Sequence, residues 1–212
     1  MTNTLTTMRE RLRQQLSDVD DATWDAGEKD DLLDWAVRRL NYKVPRPIDP
    51  TDATAEITLV ADTYWYSIDS SIVNVERVTI LDADGDEMGR ITAWETTGDI
   101  VSGTGKIHIA PSIVEIWVGG TARIYGTGRY DLSTYLVPDE YVPAVLAVAR
   151  AEALSRLVSD RARFKQWQVA NQVQNISVNE LIQMVNQAEV RAAEETALLK
   201  RWQMPVTARL DR

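Results

Sequence analysis

The chain has 212 residues, 44% of them hydrophobic and 26% charged, with no cysteine, a single histidine and a formal net charge of −9. Those values bound it to one good core or a domain with extensions, and they exclude a disulfide framework and a thiolate metal site, as suits a reducing cytoplasm or a particle assembled there. No apolar run approaches the roughly 18 residues that span a bilayer, and no apolar stretch follows a basic N-terminal segment, so neither membrane insertion nor signal-directed secretion is expected.

The N-terminal fifty residues read as two helices and a linker. Thr7-Met8-Arg9-Glu10 has the form of a capping box, and Met8, Leu12 and Leu16 follow at helical spacing. Ser17 to Thr23 is a polar break. A second amphipathic helix is predicted over about Glu28 to Leu40, with Leu32, Leu33, Trp35, Ala36, Val37 and Leu40 on its apolar face and Trp24 folded back as a staple. Pro45, Pro47 and Pro50 then end helical structure.

Residues 51–136 read as a β module. Glu56–Val60, Tyr64–Ile68 and Val73–Leu81 are strand-like, and Asp82-Ala83-Asp84-Gly85-Asp86 is a hairpin turn with Arg90–Trp94 as its return strand. Lys106–Ile109 and two strands flanking Gly119-Gly120, Val114–Val118 and Ala122–Tyr125, complete six or seven short antiparallel strands. Such a set suits a small sandwich or open barrel. The hydrophobic period returns from about 2 to about 3.6 beyond a loop carrying Tyr130, Asp131 and Tyr135.

Residues 137–202 read as a helical pair. The first helix runs from Tyr141 to about Ala170, with Pro143 confined to its first turn, and Gln172 to Asn175 forms a break. Ser177-Val178-Asn179-Glu180 is a second capping box, after which Leu181, Val185, Ala188, Ala192 and Leu199 share one stripe. Residues 203–212 form an extended tail. The fold class is therefore α+β: an N-terminal helical pair, a central antiparallel β-sandwich or open barrel, and a C-terminal helical pair with an extended tail, in one structural domain with extensions.

Sequence features that invite a chemical reading have simpler explanations. Asp82 to Glu87 begins like a calcium loop, but an EF-hand needs Gly sixth and Glu twelfth, and here Gly85 is fourth and Ala93 twelfth. Gly103-Thr104-Gly105-Lys106 lacks the first glycine of a phosphate loop, where Ile100 stands, and Ile107 replaces its Ser/Thr. His108, between Ile107 and Ile109, has no local partner for catalysis or metal binding and reads as an outward-facing strand residue. Tyr64-Trp65-Tyr66 has the aromatics of a single-strand binder without the basic residues, so sheet packing is preferred. Asp139-Glu140 opens a helix, where capping and dipole explain a carboxylate pair. No catalytic residue, cofactor or metal is expected.

The charge is unevenly placed. Lys/Arg against Asp/Glu stand at 8 against 13 in residues 1–62, 5 against 12 in 63–142, and 10 against 7 in 143–212. An acidic body repels polyphosphate, so tight nucleic-acid binding is not expected, although a duplex slides past such a surface without sticking. The C-terminal end carries Arg201, Trp202, Met204, Pro205, Val206, Arg209 and Leu210, more apolar side chains than a solubilising tail needs. Arg and Trp commonly anchor interfaces, so this end reads as a docking element for another protein.

Taken in order, Trp24 with Asp31-Leu32-Leu33-Asp34-Trp35-Ala36, the stretch from Tyr66-Ser67-Ile68 to Val78, and Pro138-Asp139-Glu140-Tyr141 before an Ala/Arg-rich helix make a pattern. It resembles the head-to-tail adaptor (connector) proteins of tailed bacteriophages and related gene-transfer particles, over most of residues 20–170. The β portion is larger than in the smallest adaptors, and the second C-terminal helix with its tail is long. The resemblance implies a homo-oligomeric ring, usually of twelve subunits, assembled in the host cytoplasm and placed in the virion neck. Its partners would be the portal protein and the next neck or tail protein, with DNA passing through the channel without specific binding. Alternatives are a stopper or tail-completion protein, or a non-viral regulatory or ligand-binding β module with helical oligomerisation arms.

Overall fold

The computed structural model describes residues 3–18, 21–48, 53–98 and 105–203, without the side chains of residues 53 and 200–203. The fold is α+β with antiparallel sheets and no closed barrel. Contacts group the chain into two compact units, Met1–Val44 with Tyr130–Arg212 and the intervening Pro45–Arg129. The two helical ends of the sequence share one apolar core, and the β segment between them in the chain has a core of its own.

Six helices and eight strands are assigned among the described residues. The helices are α1 (Leu5–Leu16), α2 (Ala26–Asn41), α3 (Pro111–Ile116), α4 (Val142–Ser159), α5 (Arg161–Ala170) and α6 (Val178–Gln203). In the helical unit α4 is the centre. Val145, Ala149, Ala153 and Leu157 are buried, and so are Ala144, Leu146, Ala147 and Ala151 on its other sides. A helix apolar on all sides must be surrounded, and α1, α2, α5 and α6 all pack on it.

Local chemistry sets the helix ends. α1 is capped by Thr4, whose hydroxyl accepts from Thr7 N–H at 3.4 Å. The predicted Thr7 capping box is therefore displaced by a turn, and Glu10 pairs with Arg13 instead at 2.7 Å. Ser17, with φ of 53°, ends α1 in the left-handed region. Asp25 and Glu28 form a reciprocal capping box that starts α2 earlier than expected. The single helix expected over Tyr141 to Ala170 is two helices. Asp160 turns extended (φ −116°, ψ 98°), and its carboxylate accepts from Ala162 and Arg163 N–H, both at 3.0 Å, so it caps a new helix. The Ser177/Glu180 capping box before α6 forms as predicted, and hydrogen bonds from Ser177 hold the Glu180 carboxyl below its ordinary range.

A buried charge ties the first two helices together. Lys29 has no exposed surface, and its ammonium donates to Asp18 Oδ2 (2.6 Å), Asp21 Oδ1 (2.6 Å) and the Trp24 carbonyl (2.5 Å). Three donors thus meet three acceptors. Asp18, equally buried, also accepts from Thr23 N–H at 2.8 Å and Trp24 N–H at 3.3 Å. The hydrogen bond from Lys29 holds the Asp21 carboxyl below its ordinary range.

The β unit holds β1 (Arg46–Pro47), β2 (Glu56–Thr58), β3 (Trp65–Ser67), β4 (Ile72–Leu81), β5 (Glu87–Ile91), β6 (Trp94–Thr97), β7 (Lys106–Ile109) and β8 (Thr121–Gly128). One sheet runs β1-β8-β4-β5, with β2 also on β8, and the other runs β3-β7-β6. Both contribute to a single core that includes Tyr66, Val78, Ile80, Ile107, Ile109 and Ile124. The strand expected over Val114–Val118 is α3 instead. Pro111 in its first turn favours helix, and Gly119 at φ 81° ends the segment before β8 begins. The expected return strand Arg90–Trp94 is divided, with Ile91 closing β5 and Trp94 opening β6 in the second sheet. In β4 the pairing with β8 shifts register beside Asn74 and Arg77, and there the backbone lies against Gly126: a Cβ on Gly126 would stand 2.0 Å from the Asn74 carbonyl oxygen.

Three outcomes follow for stability. Lys29→Met strands the Asp18 carboxylate in the core and is expected to cost about 3–5 kcal/mol in urea unfolding, while Asp18→Asn/Lys29→Met recovers about half or more of that loss. The depressed Asp21 carboxyl contributes stability that is complete above the unfolded pKa of about 3.9 and is lost as pH falls through the lower folded value. Asp21→Asn flattens that acid limb of a stability-versus-pH curve. Gly126→Ala forces β4 and β8 apart and is expected to lower stability by about 1–3 kcal/mol, read as a reduced midpoint at unchanged slope.

Candidate functional site: an open groove on the helical unit

α2 and α6 flank α4 and leave a groove of about 300 Å³ between them. Its floor is short: Ala144, Val148 and Ala151 from α4 do not reach across, and neither do Ala192 and Ala193 from α6. The walls are polar. On the α2 side Arg39 lies over the Trp35 ring, 5.2 Å from its centroid, and Lys43 follows just past the helix end. Across the groove stand Glu152, paired with Arg156 at 3.1 Å, and Glu189. Thr196 turns its hydroxyl inward to donate to the Ala192 carbonyl at 2.5 Å. An apolar floor between cationic and anionic rims suits a short amphipathic protein segment that carries both signs of charge.

The groove was only half legible in the chain. Trp35, Ala36 and Leu40 are on the predicted apolar face of α2, and Ala192 is on the predicted stripe of α6. Periodicity says which face turns inward, but not that alanines would leave the space between two such faces unfilled. Two of the docking residues nominated from the sequence follow the groove-lining Thr196 within two turns of α6. Arg201 and Trp202 fall in its last turn, with side chains outside the described residues, and Met204, Pro205, Val206, Arg209 and Leu210 lie outside the described residues altogether.

The sequence features with a chemical look resolve locally. Asp82 Oδ1 accepts from Asp84 N–H (2.9 Å) and Asp86 N–H (2.8 Å), and Gly85 sits at φ 88°, so this acidic run is a hairpin turn. Gly103 and Thr104 lie outside the described residues. His108 does have neighbours, brought by strand pairing and not by sequence. The Trp65 ring on β3 lies against it, tilted by 41° with centroids 4.7 Å apart, and Glu95 on β6 approaches its Nδ1 at 3.8 Å. Tyr66 points into the core and donates to the Thr63 carbonyl at 2.6 Å, whereas Trp65 stays 44% exposed.

Among the described residues no three carboxylate or imidazole groups gather as a metal site, and no helix is long and apolar enough to cross a membrane. No protein-family model matches the chain, and no curated protein matches it.

If no resident metal supports the fold, treatment with a chelator is expected to leave the melting temperature unchanged to within about 1 °C, because only a ligand of the native state adds stability that its removal takes away. A fall of several degrees in a calorimetric scan would reveal a metal.

Proposed function

We propose that this protein is a structural subunit of a phage-like virion neck, a head-to-tail adaptor that forms a ring beneath the portal. In that place it extends the DNA channel and presents a platform to the tail. The observation that carries the reading is the groove between α2 and α6. A closed ring of identical subunits needs a heterologous contact, with an acceptor surface on one copy and a different donor surface on the next. The groove supplies an acceptor that its own helices do not fill.

The proposed donor is the C-terminal segment of the neighbouring copy. That segment offers Met204, Val206 and Leu210 for an apolar floor, and Arg209 and Asp211 for rims of opposite charge. The 26-residue α6 that precedes it is about 39 Å long at 1.5 Å per residue, against roughly 27 Å for α4. The net charge of −9 agrees with a channel past which DNA moves without being held. The portal and the next neck or tail protein are the partners this reading assigns.

Negative-stain microscopy of the purified protein, alone and with the particles it accompanies, tests the reading by the presence of rings and the count of their symmetry. Ala193→Trp fills the groove from an exposed position and is expected to abolish rings while shifting the melting temperature by no more than about 2 °C. Deletion of residues 203–212 is expected to do the same and to block joining of heads to tails. A dimer at every concentration, with no ring on particles, would overturn the adaptor and favour a regulatory β module with helical dimerisation arms.

A further inference from the structure

A second and much smaller cleft of about 50 Å³ opens between α1, α4 and α6. Arg150 of α4 and Arg191 of α6 both line it, with Gln15 of α1 as a third polar wall. Arg11 lies one turn before Gln15 on the same face of α1 and adds a cation nearby. Pro143, Ala147 and Ala188 form the rest of the lining and supply no acceptor side chain.

Several described arginines, Arg11, Arg39, Arg90, Arg129 and Arg161 among them, have no carboxylate within 4 Å, and what sets Arg150 and Arg191 apart is that they share one cleft. In a chain with more acids than bases, Arg9, Arg13, Arg38, Arg77, Arg123, Arg156 and Arg163 each meet a carboxylate within 3.2 Å. Arg150 and Arg191 meet none within 4 Å among the described residues, although Glu194 and Glu195 follow Arg191 by three and four positions. Arg150 Nε is moreover buried without an acceptor. A guanidinium keeps its charge at any physiological pH, and a buried N–H without a partner is a destabilised state that native proteins rarely retain without use. Two like charges facing one cleft add repulsion that an anion between them would reverse.

We infer that Arg150, Arg191 and Gln15 form a binding site for a single oxyanion group, a phosphate or a carboxylate. The planar guanidinium of Arg150 offers parallel N–H donors to two oxygens of such a group, including its buried Nε–H. Arg191 closes on the anion from the rim, and the Gln15 amide donates to a remaining oxygen. The cleft has room for one such group and not for a nucleotide base or sugar. Free inorganic phosphate and an acidic side chain of a neighbouring protein are two sources of this same chemistry. The inference does not depend on the ring reading, because it concerns the isolated chain.

The test compares the wild type with Arg150→Gln/Arg191→Gln. Inorganic phosphate, acetate and chloride are titrated at matched ionic strength while melting temperature and the Arg150 Nε–H resonance are followed. Phosphate also stabilises proteins by exclusion from their surface, an effect that both chains share, so the difference between them is the readout. At 20 mM phosphate the wild type is expected to gain about 2 °C more than the variant, with a saturable shift of the Arg150 resonance. A stronger response to phosphate than to acetate identifies a free phosphate-type ligand, and a response to both alike identifies a carboxylate presented by protein. Equal stabilisation of the two chains, or an Arg150 resonance that does not move saturably with either anion, overturns the site. The resonance is read on the wild type, so that arm stands even if the double variant folds poorly.

Discussion

The helical unit is organised by a helix that cannot be left in water on any side. α4 is built from Val, Leu and Ala with few polar positions, and burial of Ala144, Val145, Leu146 and Ala147 in succession means that apolar side chains leave it in every direction. Each buried side chain of this kind contributes on the order of 1.5–3 kcal/mol for the larger residues, so the chain gains most by covering α4 with every helix it has. α1 and α2 come from one end of the sequence, and α5 and α6 from the other. That demand makes the β segment an insertion between two halves of one core.

The same constraint explains the groove. Alanines on α4 and α6 let neighbouring helices approach closely, which suits the core, but the same short side chains cannot fill the gap where α2 and α6 diverge above α4. An open groove with a small-residue floor and charged residues at its edges is thus a by-product of how α4 is wrapped. A neighbouring face of α4 shows a related outcome with polar residues. There Arg150 and Arg191 flank small side chains, and the cleft keeps charge without a counter-charge. Both features lie where small side chains of α4 and α6 meet.

Buried polar groups carry the specificity that apolar packing lacks. Lys29 is saturated by Asp18, Asp21 and the Trp24 carbonyl, which fixes the entry angle of α2 relative to α1. Asn41 plays a similar part at the far end of α2, accepting from Tyr130 N–H and donating to the Tyr130 carbonyl at 2.9 and 2.8 Å. A buried charge or amide tolerates one geometry, whereas leucines tolerate several. In the β unit Gly126 does the equivalent work by subtraction, since only a residue without Cβ lets β8 pass the Asn74 carbonyl.

The sequence by itself determined whatever depends on neighbours a few positions apart. The α+β class, the break at Ser17, the hairpin at Gly85, the Ser177/Glu180 cap and the inward stripe of α6 are all local patterns of period, turn chemistry or capping, and all are present. Local signals also misled where two of them competed. The alternation Val114–Val118 argued for a strand, but the six residues Pro111–Ile116 close as a helix with Gly119 turning soon after, and Asp160 caps a new helix in mid-run because its carboxylate reaches two free N–H groups. Tertiary structure alone decided what depends on distant partners. It set Trp65 beside His108 and opened the groove between α2 and α6. No window of sequence contains those pairs, because the interaction energy that fixes them arises only when strands and helices far apart in the chain come to share one surface.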